Sequence, residues 1–537
     1  MMQYKNVRTM QNYVISFQMA RFCRVSKYTS QYLFGLVWIQ LHIVIDCIYR
    51  NVINVLTHVI FDTERNQEIF TRERQLSNLI VTSLQPLSIL KDTGFKAFLD
   101  NIKPNILPKE TYFIRKELLR MYTVTMQKVK KVLALADDIV LTSELWDSRP
   151  EESYMTVTSH FIDQQWNLNS YVLETTKVLG GPEQKADMVK QLVRIANTWE
   201  IKRKIHTVVT NMDGVRMEIS KNGWTHIPCL AHTLDVVFKD VLKNDSMLNE
   251  VLRKCQKLVR FFHIDTEAQK ELKLAQNERS LPHLSLIQSV GDGWLSCFEM
   301  LKILGEQYKA INKVLSDRQD FALCLSPPDI LKINNAVAAL LLFKELTRKM
   351  SDIPNGQRYS LISTVIPLVT ELRDKIETAQ ITNEVTKQLG KQIQQHFRYL
   401  KQRRRLILPT ALDPRFKNII MSDVGIARPF LKKLNEDLQV VGTPLKTSDL
   451  GQILHRYTKG GQIPERENPL EWWSRDGSVD FVDLTRVARR NLGVVSTAIP
   501  PKRAFQEAEN MIHNRRICLE PENINMILFL NSNSPNI

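Results

Sequence analysis

The stretch "IVLTSELWDSRPEESYMTVTSHFIDQQWNLNSYVLETT" (Ile139–Thr176) decides how the rest of the chain is read. Ile139, Val140 and Leu141 form a short aliphatic run suited to a buried strand. "SYMTVTSHFID" (Ser153–Asp163) alternates over part of its length, and "WNLNSYVLETT" (Trp166–Thr176) follows after two residues. Three strands joined by short connections predict an antiparallel meander. "GGPEQ" then opens a helix with Val189, Leu192, Val193, Ala196 and Trp199 on one face. A strand follows at Ile205–Val209, then a polar turn or helix to Gly223 and a short strand at Thr225–Ile227. "PCLAHTLDVVFKDVL" predicts a helix with Leu230, Leu234, Val237, Val241 and Leu242 inward.

The order β-β-β-α-β-α-β-α is that of a ribonuclease H-like domain, in which parallel strands reached through crossover helices extend an antiparallel meander. Upstream, Glu64–Lys131 reads as helices: Leu76, Leu79, Ile80 and Leu84 share a face before Pro86, and Leu118, Leu119 and Tyr122 belong to a second amphipathic run. Downstream, almost everything from Lys243 to Arg456 reads as helix. "TKGGQIPEREN" (Thr458–Asn468) reads as a linker, and two amphipathic helices follow "PLEWW". The expected fold class is α/β plus all-α.

Composition narrows the function. Lys and Arg total 73 against 57 Asp and Glu, a net charge of +16 over 537 residues, which favours a polyanionic partner. The seven cysteines are scattered, with no Cys-x-x-Cys pair, which argues against a disulfide framework and a self-contained zinc finger. The apolar stretch Tyr32–Phe61 is interrupted by Gln40, His42, Asp46, Arg50 and Asn51. It lacks the run of about 18 apolar residues that a membrane span needs, so no membrane partner is expected.

Five further motifs occur in one order: "LTSELWDSRPEESYMTVTSHFI", "GWTHIPCLAHTLDVV", "LIQSVGDGWLSCFEMLKIL", "LPTALDPRFKNI" and "NPLEWW" with "IPPKRAFQEAENMIHNRRICLEPENINMILFLNSN". Together, over roughly 72–533, they resemble the hAT superfamily of DNA transposases, and most of all the domesticated proteins of the BED-type zinc finger group. The resemblance implies a ribonuclease H-like domain interrupted by a large helical insertion, with a C-terminal dimerisation segment that returns to complete the core. The implied layout is a poorly defined extension at 1–62, a helical segment at 63–132, the core at 133–243, the insertion at 244–457 and the dimerisation region at 466–535. Such relatives usually carry an N-terminal BED finger. Cys23, Cys47, His42 and His58 lack its paired spacing, so the finger is expected to be missing.

Transposases of this family hold two divalent metals with three acidic residues. At the matching positions this chain has Glu144 in Glu144-Leu145-Trp146 where Asp-x-Trp is usual. It has Asn211, with Asp213 a candidate substitute, where the second Asp belongs, and Lys502 where a Glu belongs. A longer acid, a neutral amide and a cation predict a site that holds no metal and cuts no DNA. Trp146 and Trp294, the latter in a broken Arg-Trp motif, remain. Cys229 and His232 match the family's Cys-x-x-His, with His226 adding a His-x-x-Cys spacing. Zinc needs a fourth ligand, so packing is expected, and no cofactor.

Two surfaces complete the reading. "YLKQRRR" offers Lys401, Arg403, Arg404 and Arg405 as phosphate contacts or a nuclear localisation signal, against the plain alternative of a solvated helix end. Pro469, Leu470, Trp472, Trp473, Leu484, Val487, Ala488 and Leu492 are expected at a homodimer interface. The expectation is a catalytically inactive, nuclear, dimeric protein with DNA and other nuclear proteins as further candidate partners. The alternative is a divergent but active transposase.

Overall fold

The computed structural model describes residues 72–102, 111–149, 152–289, 293–353, 357–378, 383–398, 404–421, 424–500, 516 and 518–534. The expectations for residues 1–62, the missing finger and Lys502 lie outside them. Five strands form one sheet: β1 (Ile139–Arg149), β2 (Glu152–Ile162), β3 (Leu168–Val178), β4 (Ile205–Thr210) and β5 (Thr225–Pro228). Their order is β3-β2-β1-β4-β5. The first three pair antiparallel, while β4 and β5 run parallel to β1. The expected ribonuclease H-like order is present, and the helices Gln184–Thr198 and Arg216–Ser220 supply the crossovers.

Both faces of the sheet are covered, which explains why the alternation in β2 is incomplete: ten of its eleven residues are buried. On one face Ile139, Leu141, Val157 and Val208 pack with the N-terminal helices, the helix Gln184–Thr198 and the C-terminal helix Pro521–Asn533. On the other, Val140, Ile162, Val209 and Ile227 meet the helix Leu230–Asn244 and a continuous core running through the helical region.

The C-terminal helix shields the sheet edge as well as its face. Asn533 accepts from the Val172 amide at 3.0 Å and donates to the Val172 carbonyl at 2.8 Å, while Asn525 accepts from the Thr175 amide at 2.9 Å. These side chains satisfy edge groups of β3 that would otherwise pair with another chain. Phe529 packs on Tyr122 and Trp199, and Glu520 accepts from the Leu87 and Ser88 amides. Residues more than 400 positions apart thus close one core.

One face assignment is corrected. Leu118 is buried, but Leu119 is 55% exposed, because one residue along a helix rotates the side chain by about 100°. No described helix is long and apolar enough to cross a membrane.

Candidate functional site: the carboxyl end of the central strands

Glu144 and Trp146 sit two residues apart on β1, so their side chains share one face. Parallel pairing of Ser143 with Thr210 brings Asn211, the residue after β4, beside Leu145. The turn Met212-Asp213-Gly214 follows, with Gly214 at φ +76°, where a side chain would be strained. Glu144 and Asn211 therefore lie at neighbouring strand ends.

Their chemistry is already committed. Arg516 Nη1 lies 3.0 Å from Glu144 Oε1, and both side chains are nearly buried, at 8% and 12% exposure. The guanidinium also lies over the Trp146 ring, 5.3 Å from its centroid. Trp146 stacks on Tyr154 and donates Nε1–H to Thr156 Oγ1 at 3.0 Å, which fixes the ring beneath the cation. The Asn211 amide is engaged at both ends: Oδ1 accepts from the Leu145 amide at 2.8 Å and Nδ2 donates to the Leu145 carbonyl at 2.9 Å. Asp213 faces His232, at 3.3 Å.

These groups do not fit the family's metal pair. A hard cation needs negatively charged oxygens free to turn toward it. Here one carboxylate is matched by a guanidinium, and the amide is folded back onto the backbone. No cluster of three or more His, Cys, Asp or Glu that could hold a metal occurs among the described residues. Sequence reasoning missed Arg516, although it lies inside the quoted "HNRRIC": nothing in one dimension marks which of two adjacent arginines reaches a strand 372 residues away.

Cys229, His226 and His232 face three different partners. Cys229 precedes the helix Leu230–Asn244, and its buried Sγ accepts from the Ala498 amide at 3.2 Å. Its own amide donates to Thr210 O at 2.7 Å, and the Leu230 amide donates to Ser496 O at 3.0 Å. The segment 494–498 also pairs with Ser360 and Ile362, so it ties the sheet to the helical region, with Cys229 at the junction. Burial pushes this thiol up from its ordinary range. His226 Nε2 meets Thr210 Oγ1 at 3.0 Å. Trp294 is buried against Phe343, and its amide donates to Asp235, which caps the helix Trp294–Asp317.

His160, buried between Thr142 and Ser170, is held neutral by desolvation, its pKa lowered to about 3. His226 is shifted the same way, to about 4, by burial first and then by Arg405 and Arg216. The unfolded chain takes up these protons near pH 6.5 and the folded chain does not. The stabilisation is therefore complete above pH 6.5 and is lost as pH falls toward the folded values. His160 alone contributes a loss of about 1.4 kcal/mol per pH unit in that window. Urea midpoints are expected to drop between pH 6.5 and pH 5, and a flat profile there would contradict the burial of His160.

The two expected surfaces are corrected. Arg405 turns inward and donates to the His226 carbonyl, so it braces β5 in place of contacting phosphate. Lys401, Arg403 and the side chain of Arg404 lie outside the described residues. Pro469, Leu470, Trp473, Leu484, Val487, Ala488 and Leu492 are buried in the chain's own core, and only Trp472 is partly open. Trp473 stacks on Trp166 at 5.5 Å and donates to the Leu412 carbonyl. Trp166 has φ +65°, unusual for so bulky a residue, and is held between Trp473 and the Arg489 guanidinium. In sequence the cluster reads as an interface because exposed and interior aromatics look alike; in the fold it locks the β2–β3 turn to the C-terminal region.

Comparison with known proteins places these features in a family. Residues 142–227 match the ZBED1 RNase-like domain, 227–337 the ZBED1 RNase-like helical domain and 453–534 the hAT family C-terminal dimerisation region. Zinc finger BED domain-containing protein 4 of Homo sapiens is 25% identical over 416 residues, 74% of this chain and 35% of that protein. Zinc finger BED domain-containing protein 6 of Mus musculus is 24% identical over 63% of this chain and 37% of its own length. The putative AC transposase of Zea mays is 22% identical over 65% of this chain and 45% of its own. The chain spans a little over a third of the length of the first two relatives. Three regions thus follow one another on a ribonuclease H-like sheet: the chain carries the RNase-like and helical domains and the hAT C-terminal dimerisation region, and it is similar to the zinc finger BED domain-containing group and to hAT transposases.

Proposed function

We propose that this chain is a catalytically inactive hAT-derived protein that works in the nucleus as a homodimer in contact with nucleic acid, in transcriptional regulation. The Glu144–Arg516 pair carries the reading: it supplies from within the protein the positive charge that a metal would bring, and Asn211 adds no charge to attract one. The excess of 16 positive charges supports a polyanionic partner. Supercoiled plasmid incubated with the chain and Mg²⁺ or Mn²⁺ is expected to stay intact. Nicking that Glu144→Ala abolishes would establish the transposase reading instead, which the likeness to the maize protein favours.

Dimerisation through region 453–534 uses its outward side chains, since the aromatic and aliphatic ones within are spent on the core. Val479 and Val482 are 71% and 68% exposed and lie together in sequence and on the surface of that region. The double change Val479→Glu and Val482→Glu is expected to halve the mass in light scattering while leaving the melting temperature of the subunit fold unchanged. An unaltered mass would remove these two residues from the interface.

A further inference from the structure

We infer that the phosphate backbone of duplex nucleic acid docks on a basic patch that only the fold assembles, where the last turns of the helix Thr111–Leu135 meet the turn at 200–204. The two segments are about 70 residues apart in sequence. They are joined by Lys204 Nζ, which donates to the Leu133 and Ala134 carbonyls at 3.1 and 2.7 Å, and by Lys130 Nζ, 3.4 Å from Glu200 Oε1. Around these contacts, the helix carries Lys128, Lys130 and Lys131, and the turn carries Lys202, Arg203 and Lys204. The nearby exposed carboxylates are Glu200 and Asp137. Lys128, Lys131, Lys202 and Arg203 are exposed and have no ion-pair partner among the described residues.

Taken alone, "QKVKK" (Gln127–Lys131) reads as an exposed helical face. That fits one cationic segment, but not two converging ones. Like charges on two adjoining segments repel one another, and a polyanion relieves the repulsion while its counterions are released. The i, i+3 spacing of Lys128 and Lys131 also sets two ammonium groups in line along the helix, as a strand of phosphates requires. An anionic membrane is the weaker match. The exposed apolar residue at this end of the helix is Leu135, at 82% exposure, and one leucine does not make the apolar face that an interfacial helix buries.

This inference rests on the reading that the chain contacts nucleic acid, and its test separates the two. A labelled random-sequence duplex is titrated with the full chain by fluorescence anisotropy across a salt series. The test variant combines Lys128→Glu, Lys131→Glu, Lys202→Glu and Arg203→Glu. A control with the same change in net charge combines Arg253→Glu, Lys257→Glu, Lys387→Glu and Lys391→Glu, all exposed positions on other helices. Thermal unfolding checks that both variants fold. The test variant is expected to bind roughly tenfold or more weakly, with a log–log salt slope shallower by about 3 to 4, while the control stays near the parent. Equal losses in both variants would mean that net charge alone acts, and would overturn the patch. A parent that binds alongside an undiminished test variant would also overturn it, leaving nucleic-acid contact to another surface. A parent that fails to bind at low salt would overturn both readings. In that case, patch-dependent binding to phosphatidylserine vesicles would identify a membrane surface.

Discussion

The Leu484→Asp variant is expected to lose its folded C-terminal half and not to yield a folded monomer. Leu484 has no exposed surface and packs in a core shared with Val487, Ala488 and Leu492. A carboxylate there has no partner, and leaving a polar or charged group unpaired in an apolar interior costs several kcal/mol. That is a large share of the roughly 5–15 kcal/mol that holds a typical domain folded. The loss should spread, because Leu484 lies between the helical region and the sheet and the helix Val482–Leu492 contacts β2. Circular dichroism melts with sedimentation velocity decide the matter. A cooperative melt near that of the parent, with the mass of a monomer, would move Leu484 back to an interface.

The Arg516→Ala variant should be the second large effect, with a loss of about 3 to 5 kcal/mol in urea unfolding. Removing the guanidinium takes a charge partner from Glu144, whose side chain is only 12% exposed, and takes away the cation that lies over Trp146. Adding Glu144→Gln should recover part of the loss, since the nearly buried carboxylate is then neutral. The coupling between the two changes measures the pair directly. A single-variant loss below about 1 kcal/mol would mean that Glu144 is solvated. It would then be free to turn toward a ligand, and the proposed inactivity would lose its main support.

Much of this architecture was legible before any coordinates. The aliphatic run at Ile139 and the partly alternating segments after it placed three strands, "GGPEQ" the first crossover, and the stretches Ile205–Val209 and Thr225–Ile227 the other two strands. They did so because strand and helix periods are local properties of the chain. That β1 and β4 are neighbours follows from the same order of elements, and their parallel pairing sets Asn211 beside Leu145. The roles assigned to surfaces fared differently. "PLEWW" and the residues around Leu484 read as an interface and proved to be core; Arg405 read as a phosphate contact and turned toward a backbone carbonyl. An aromatic or an arginine carries the same letter whether it meets solvent, a partner or its own interior.

What the sequence determined by itself was the order of elements, the ribonuclease H-like class, the excess of positive charge and the presence of Glu144, Asn211 and Lys502 where the resemblance implies Asp, Asp and Glu. Tertiary structure alone decided where the charges went. It brought Arg516 to Glu144 across 372 residues, Ala498 to Cys229 across 269, and the lysines of one helix to a turn about 70 residues later. The physical reason is that secondary structure follows from interactions between near neighbours in the chain, whereas ion pairing and burial depend on distances in space, which only the closed core sets.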